Sequence, residues 1–275
     1  MPHDSADASP ASGTLTTAER AAWERDGFFI RRAFAREPVL GDMLARAVAI
    51  CRSYDAGENF TGALVVPEAK PNPLAREPED RISKVFRLHR DGVFGEFARD
   101  PRVVDVVAGI LGDDVDCFLS QFIFKNRGAY GQPWHQDALY FLMEPDAQIG
   151  IWLAITPATL ANGCLHVLPG SHRERVHAHE PDRRPDSNYG YLEIVDHDMS
   201  AAVPVLMDPG DLLVFHSHLM HRSTDNTSDG IRAAMVYHYG PAGTVDRTPV
   251  GPAYVNDWMP VRRAGELAGE PGRSG

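Results

Sequence analysis

Residues 115–125 read VDCFLSQFIFK, a run of residues that favour β-strands, and they mark the point where the periodicity of the chain changes. Further short runs of the same kind follow at 149–155, 164–168, 203–207, 211–216 and 231–239. Gly, Pro, Asn and Asp separate these runs, as expected of short strands joined by turns. The pattern predicts a β-barrel or β-sandwich in the second half of the chain.

The first 112 residues instead carry helix signals. Thr16-Thr17-Ala18-Glu19 has the form of a capping box, and Gly27 ends the helix that it begins. Apolar residues spaced on one face predict a second helix over 37–54. Asp100-Pro101 is typical of the start of a third helix, which runs through Leu111 to Gly112. Residues 56–80, rich in Pro, Gly and charge, are predicted to be a loop.

These patterns predict one domain over 16–275, preceded by a disordered lead-in at 1–15 whose Ser, Ala, Asp and Pro show no apolar period. Its helical part would cover about 16–112 and its β-core about 115–240. The segment 169–202 is long for a simple connection and rich in Arg and Asp. We expect it to form a lid over a site.

Charge and composition exclude several functional classes. The chain has 27 Lys and Arg against 38 Asp and Glu, a formal net charge of −11. That sign disfavours nucleic acid and anionic lipid as partners. Three scattered cysteines give no disulfide framework, and no apolar stretch approaches the roughly 18 residues that span a bilayer. We expect a cytoplasmic protein, monomeric or homodimeric, that acts on a small molecule.

The candidate metal-binding residues lie in two segments that contain histidine. His135 and Asp137 lie two residues apart, so in extended chain they point to the same face. A later segment offers a second imidazole from His216, His218 or His221. Two His and one carboxylate form the facial ligand set of non-haem Fe(II) oxygenases, which leaves room for a chelating 2-oxo acid and O₂. The residues alone do not select among the three later histidines.

A 2-oxo diacid also needs a cation for its far carboxylate, and Arg is the preferred partner because its fork binds carboxylates in two places. Arg232, at the start of the last predicted strand, is suitably placed in sequence. The commoner fate of a lone Arg is a surface ion pair, and the histidines could equally be solvated loop residues.

Ordered blocks of sequence resemble the phytanoyl-CoA dioxygenase (PhyH) family over most of the chain. The first blocks are Phe124-Lys125, His135-Gln136-Asp137, Gly150-Ile151-Trp152-Leu153-Ala154, and Asn162-Gly163-Cys164-Leu165 followed by Pro169-Gly170-Ser171-His172. A last block runs from Gly210-Asp211 through His221-Arg222-Ser223 to Asn226 and Arg232. The resemblance implies a mainly β fold with flanking helices, namely a double-stranded β-helix of the jelly-roll or cupin-like kind.

The same resemblance implies a set of site residues. His135, Asp137 and His221 would bind the metal, while Arg232 and Ser223 would hold the distal carboxylate of 2-oxoglutarate. Lys125 and Trp152 would line that pocket. Gln121 shares a strand face with Lys125 and would point into the barrel with it. The implied cofactors are Fe(II), 2-oxoglutarate and O₂, with ascorbate as a reductant.

The expected activity is therefore 2-oxoglutarate-dependent hydroxylation, with release of succinate and CO₂. Asp137 retains the carboxylate that halogenating relatives lack, which favours oxygenation. Outside the arginines at 173–184 the chain shows no cluster for the phosphates of an acyl-CoA, so we expect a natural-product or amino-acid-like substrate, as in secondary metabolism. Desaturation, epoxidation or ring formation at the same site is the alternative. A non-catalytic metal-binding barrel, and a Zn hydrolase built on His177, His179 and Asp182, are weaker ones.

Overall fold

The computed structural model describes residues 14–58, 62–68, 72–184, 190–248 and 256–269. Within these ranges the α-helices are α1 Thr17–Asp26, α2 Val39–Asp55, α3 Gly92–Ala98 and α4 Pro101–Leu111. The strands are β1 Phe28–Arg31, β2 Leu64–Pro67, β3 Ile82–Phe86, β4 Val115–Lys125, β5 Met143–Glu144, β6 Ile149–Ala154, β7 Leu165–Val167, β8 His179–Pro181, β9 Leu192–Ile194, β10 Val203–Val205, β11 Leu212–His216, β12 His221–Ser223, β13 Arg232–Pro241, β14 Val245–Asp246, β15 Met259–Arg263 and β16 Glu266–Leu267. Short 3₁₀ turns lie at Pro78–Arg81, Asp137–Tyr140 and Ser171–Arg173.

Two antiparallel sheets form the body of the protein. The large sheet has the order β1-β11-β6-β13-β4-β15-β16, and β3 extends it from β4 with β2 at its edge. The small sheet has the order β10-β7-β12. Trp152 and Leu213 of the large sheet pack against Val167 and Val205 of the small one. The paired sheets confirm the predicted jelly-roll, or double-stranded β-helix, architecture.

The helices cover the outer face of the large sheet. Met43 of α2 and Val107 of α4 are fully buried in one cluster with Met235 and Tyr237 of β13. The Tyr237 hydroxyl donates a hydrogen bond to the carbonyl of Phe94, at 2.9 Å, which fixes α3 to the same strand. The helices therefore cover only the outer face of β13, and the functional site can lie on its inner face. The helices in the described ranges are all too short or too polar to cross a membrane.

Several predicted boundaries agree closely with the structure, and the capping box of α1 is formed by Thr16 and Glu19. The prediction of a plain loop over 56–80 is wrong in part, because β2 and one 3₁₀ turn lie within it. The strand escaped prediction because its four residues, LVVP, show no alternation and owe their conformation to pairing with β3. Beyond 240, β15 extends the large sheet by pairing with β4.

The two ranges expected to lie outside the core are only partly described. Residues 1–13 of the expected lead-in lie outside the described residues, whereas Leu15 is buried beside Gly109. Within 169–202 the chain forms the β8–β9 hairpin. Tyr191, just before β9, lines the central cavity of the protein. That this segment acts as a lid stays a prediction.

The backbone at Gly131 lies very close to the backbone at Ser223. A Cβ atom added to Gly131 would lie 2.0 Å from the carbonyl oxygen of Ser223. The neighbouring Gln132 N–H donates to the Ser223 hydroxyl at 3.0 Å. Only glycine at position 131 allows this contact, because both partners are backbone and cannot turn aside.

We therefore expect Gly131→Ala to lower the free energy of unfolding by about 1–3 kcal/mol, the usual cost of overpacking. Gly230→Ala is the matched control, since an added Cβ there meets nothing within 4 Å, and its effect should stay within about 0.5 kcal/mol. Urea unfolding of both variants measures the difference. Equal stability of the two would contradict the close approach.

Candidate metal centre

His135, Asp137 and His221 converge in the interior between the two sheets. The Nε2 atoms of His135 and His221 lie 3.4 and 3.7 Å from Oδ1 of Asp137. The two histidine backbones pair with each other, with N–H to carbonyl distances of 2.9 and 3.0 Å. Pairing between the segment after β4 and the first residue of β12 thus brings the ligands together. Their donor atoms lie close enough to bind one metal ion.

Backbone carbonyls fix the tautomer of both imidazoles. Nδ1 of His135 lies 2.8 Å from the carbonyl of Pro133, and Nδ1 of His221 lies 2.9 Å from that of Leu219. Because a carbonyl only accepts hydrogen bonds, Nδ1 carries the proton in each ring. Each Nε2 therefore presents a lone pair toward Asp137, as a metal ligand requires.

The protonation states of these groups also suit a metal. Burial alone would raise the pKa of Asp137, but the neighbouring His221, His135 and His238 hold it well below its usual range. Burial, with the charge of His135, lowers the pKa of His221 to about 4. These two shifts favour an ionised Asp137 and a deprotonated His221, the forms in which both side chains bind metals.

His238 is a site residue that no sequence motif indicates. Its Nε2 lies 2.9 Å from Oδ2 of Asp137, the carboxylate oxygen turned away from the two ligand histidines. The ring is buried in β13 and stacks edge-on against Phe141. His238 thus holds Asp137 in place from behind, the usual role of a residue in the outer shell of a metal site.

The two other histidines of the late segment are occupied elsewhere. His218 pairs with Asp146 through an Nε2–Oδ2 contact of 2.7 Å, which raises the pKa of its imidazole. The ring of His216 packs against Trp23 and His172. Of the three alternatives that the residues left open, only His221 reaches His135 and Asp137. His172 lies with His216 and does not line the cavity.

A cavity of about 440 Å³ opens from the three candidate ligands, within the size range of small-molecule sites. Arg232 lies on its wall, 2% exposed, with its guanidinium 5.3 Å from the centre of the Trp152 ring. Nε and Nη1 of Arg232 are buried and have no hydrogen-bond partner in the described part of the chain. Burial lowers the pKa of Arg232 to about 10, so it still carries its charge at neutral pH.

The remaining predicted residues surround Arg232. Lys125 is paired with Arg232 across β4 and β13, and its Nζ donates to the Ser223 hydroxyl at 2.7 Å and to the carbonyl of Thr224 at 2.6 Å. Burial, with the charge of Arg232, lowers the pKa of Lys125 well below its usual range. Oε1 of Gln121 is buried, and no residue within the described ranges hydrogen-bonds to it. All eight predicted site residues line this one cavity.

The cavity wall includes polar residues that no motif indicated, among them Glu68, Lys84 and Tyr191. Burial raises the pKa of Glu68 to about 7, an effect that Lys125 and Lys84 partly offset. Lys84 lies 5.4 Å from the centre of the Tyr191 ring. These residues come from β3 and from loops outside the recognised blocks, so only the fold brings them to the site.

The alternative zinc-hydrolase motif is not assembled. Nε2 of His179 accepts a 3.3 Å hydrogen bond from the Gln136 N–H, while Asp182 pairs with Arg184. His177 contacts Glu174 and Asp196 instead. The three residues therefore do not form one metal site.

Comparison with known proteins identifies the family. The chain matches the Phytanoyl-CoA dioxygenase (PhyH) family over residues 23–234. It is 31% identical over 239 residues to a probable phytanoyl-CoA dioxygenase of Caenorhabditis elegans, covering 82% of this chain and 76% of that one. The chain thus belongs to the PhyH family of non-haem oxygenases, which use Fe(II), 2-oxoglutarate and O₂. The predicted family, enzyme class and cofactors are confirmed.

Solved structures share the fold. An apo non-haem monooxygenase, ThoJ, superposes with a TM-score of 0.68 at 23% identity, covering 88% of this chain and 83% of that chain. The epimerase SnoN in complex with Fe³⁺, alpha ketoglutarate and nogalamycin RO gives a TM-score of 0.65 at 19% identity, covering 92% and 95%. One fold therefore carries different outcomes, and the reaction must be argued from the site.

The buried guanidinium of Arg232 should lower the free energy of unfolding of the protein when no co-substrate is bound. Arg232→Met keeps an apolar stem against Trp152 while removing the buried charge, so we expect the protein without metal or co-substrate to gain about 1–3 kcal/mol in free energy of unfolding. Arg183→Met, at an exposed position, is the control and should change stability by less than about 0.5 kcal/mol. Denaturant titration measures both. A large loss of stability in Arg232→Met would show that the guanidinium is already satisfied within the protein.

Proposed function

We propose that the protein hydroxylates a small-molecule substrate, with His135, Asp137 and His221 binding Fe(II) and Arg232 binding 2-oxoglutarate. The observation that carries the proposal is the buried guanidinium of Arg232, on the wall of the cavity that the three ligands share, whose Nε and Nη1 have no hydrogen-bond partner among the described residues. A buried cation without an acidic partner needs an anion, and a guanidinium fork suits a carboxylate.

The metal site supports this assignment by its donor set. Two neutral imidazoles and an ionised carboxylate are the ligands of non-haem Fe(II) oxygenases. The backbone carbonyls behind His135 and His221, and His238 behind Asp137, hold all three side chains in orientation. Fe(II) bound there would supply the activation of O₂, coupled to the oxidative decarboxylation of 2-oxoglutarate to succinate and CO₂.

The co-substrate pocket is built from the remaining residues. Arg232 would form the charged pair with the distal carboxylate, and the Ser223 hydroxyl, held by Lys125, would add a hydrogen bond. The ring of Trp152 packs against the guanidinium, with its centre 5.3 Å away. Gln121 offers an amide group whose buried oxygen has no hydrogen-bond partner. These groups would fix the orientation of the co-substrate before O₂ reacts.

The substrate we propose is a small natural-product or amino-acid-like molecule. Three of the four arginines in the 173–184 segment are already engaged: Arg173 with the carbonyls of Glu24 and Arg25, Arg183 with Glu180, and Arg184 with Asp182. They do not form a free cluster for the phosphates of coenzyme A. Lys84 and Glu68, whose pKa is raised to about 7 by burial, place a basic and an acidic side chain on the cavity wall, which suits a polar ligand.

Oxygenation is favoured over halogenation because Asp137 keeps its carboxylate at the metal site. Of the oxidative outcomes, we propose hydroxylation, with ascorbate as the reductant that maintains Fe(II). Desaturation, epoxidation and ring formation would use the same residues, so the product must distinguish them.

The ligand assignment predicts a difference among three histidines of one segment. Anaerobic protein with Fe(II) and 2-oxoglutarate should show a weak visible charge-transfer band, which His221→Ala abolishes because it removes a ligand. His216→Ala and His218→Ala are matched controls that should keep the band. Absorption spectra of the four proteins, with circular dichroism to check folding, make the comparison. A band that survives in His221→Ala, or that disappears in a well-folded control, would refute the assignment.

The proposed activity predicts substrate-dependent turnover. Polar small molecules, among them amino-acid derivatives, should stimulate succinate formation, whereas CoA thioesters should not. The substrate should gain 16 mass units on hydroxylation, and a loss of 2 would identify desaturation or ring formation. Asp137→Ala should release no succinate with either class. Stimulation by CoA thioesters alone would overturn the substrate class, and the absence of succinate under every condition would favour a non-catalytic barrel.

A further inference from the structure

A second group of metal-binding side chains lies outside the cavity, at the base of the β8–β9 hairpin. Oε2 of Glu174 lies 3.0 Å from Nε2 of His177 and 3.2 Å from Nε2 of His197. The three donor atoms all lie within 4.8 Å of one another. The rings of His177 and His197 meet edge to face, with centroids 5.2 Å apart. We call this group the hairpin cluster.

The hydrogen bonds behind both rings determine what this cluster can hold. Nδ1 of His197 lies 3.0 Å from the carbonyl of Asp198, and Nδ1 of His177 lies 3.4 Å from Oδ1 of Asp196. Both partners are acceptors, so Nδ1 carries the proton in each neutral ring. Each Nε2 then points a lone pair at the Glu174 carboxylate. Three acceptors that face one another repel unless a proton or a metal cation lies between them.

The same arrangement occurs at the candidate metal centre. There too, acceptors bind Nδ1 of both histidines, and both Nε2 atoms face a carboxylate oxygen. Ligand histidines in proteins almost always donate their other N–H to a carboxylate or a carbonyl. The hairpin cluster has one of each, Asp196 behind His177 and the Asp198 carbonyl behind His197.

We propose that Glu174, His177 and His197 bind a second divalent cation of the Zn²⁺ class. Two imidazoles and a carboxylate are a known zinc ligand set, and bonds of about 2.0–2.1 Å in a tetrahedron place neighbouring ligand atoms about 3.3 Å apart. The distances of 3.0 and 3.2 Å are close to that value. The Glu174 side chain is 41% exposed, so the ion can enter from solvent and keep water as a fourth ligand.

The position of the cluster gives the ion a role. Glu174 and His177 precede β8 and His197 follows β9, so a bound ion ties together the two ends of the hairpin whose Tyr191 lines the cavity. The His177 N–H donates to Oε1 of Gln136 at 2.8 Å, and Gln136 stands between His135 and Asp137 in the chain. The second ion would therefore brace a segment that contacts the first metal site. This inference does not rest on the proposed function.

Cobalt titration of the full-length, metal-depleted protein tests the proposal, because low-coordinate Co²⁺ absorbs strongly in the visible range and six-coordinate Co²⁺ weakly. We expect two equivalents in the wild type, the strongly absorbing one displaced by Zn²⁺. His197→Ala and Glu174→Gln should each weaken that equivalent by at least about tenfold and keep the other. His221→Ala should lose the weakly absorbing one. His166→Ala, a histidine outside both groups, should keep both.

One equivalent in the wild type, removed by His221→Ala alone, would overturn the proposal and leave the hairpin cluster as protonated histidines paired with a carboxylate. Two equivalents that persist in both His197→Ala and Glu174→Gln would overturn it as well. If His197→Ala loses both equivalents, it has misfolded, and Glu174→Gln, which keeps the size of the side chain, decides by the same count.

Discussion

Two cations, Lys125 and Arg232, stand directly opposite each other across the two central strands, β4 and β13. Both are buried, and like charges that face each other across a ladder destabilise it. The sheet accommodates the pair because Nζ of Lys125 donates hydrogen bonds to the Ser223 hydroxyl and to the Thr224 carbonyl. Nε and Nη1 of Arg232 have no such hydrogen-bond partner among the described residues. The strand pairing that builds the barrel therefore also builds a pocket that is incomplete without an anion.

Much of the fold could be predicted because its central strands are long and strongly β-favouring. β4 begins and ends at the predicted residues, and β6, β11 and β13 lie close to their predicted ranges. The missed elements are short, among them β2 with four residues, β12 with three, β3 and β15 with five each, and α3 with seven. At that length local preference specifies nothing, and the conformation comes from partners distant in the chain. Sequence periodicity does not indicate which distant strands will pair.

The site residues likewise fall into those that the sequence could predict and those that it could not. His135 and Asp137 share a motif, so the sequence could predict them together, whereas selecting His221 needed the resemblance to a family. His238 supports Asp137 from the middle of a strand with no motif around it, and Glu68 and Lys84 come from elements outside the matched blocks. Each of these contacts joins residues far apart in the chain. Spacing rules relate only residues that are close in sequence. The residues that surround the metal ligands can therefore be identified only once the fold is known.

Gln136 connects the two groups of histidines. Its side chain accepts from the His177 N–H and donates to the carbonyls of Arg175 and His218, while its backbone joins His135 to Asp137. A fully buried amide with three such bonds is held in one position. Movement of the 174–179 segment would therefore have to break bonds to the residue between two metal ligands. The segment that leads into the β8–β9 hairpin is thus hydrogen-bonded directly to the residue between His135 and Asp137.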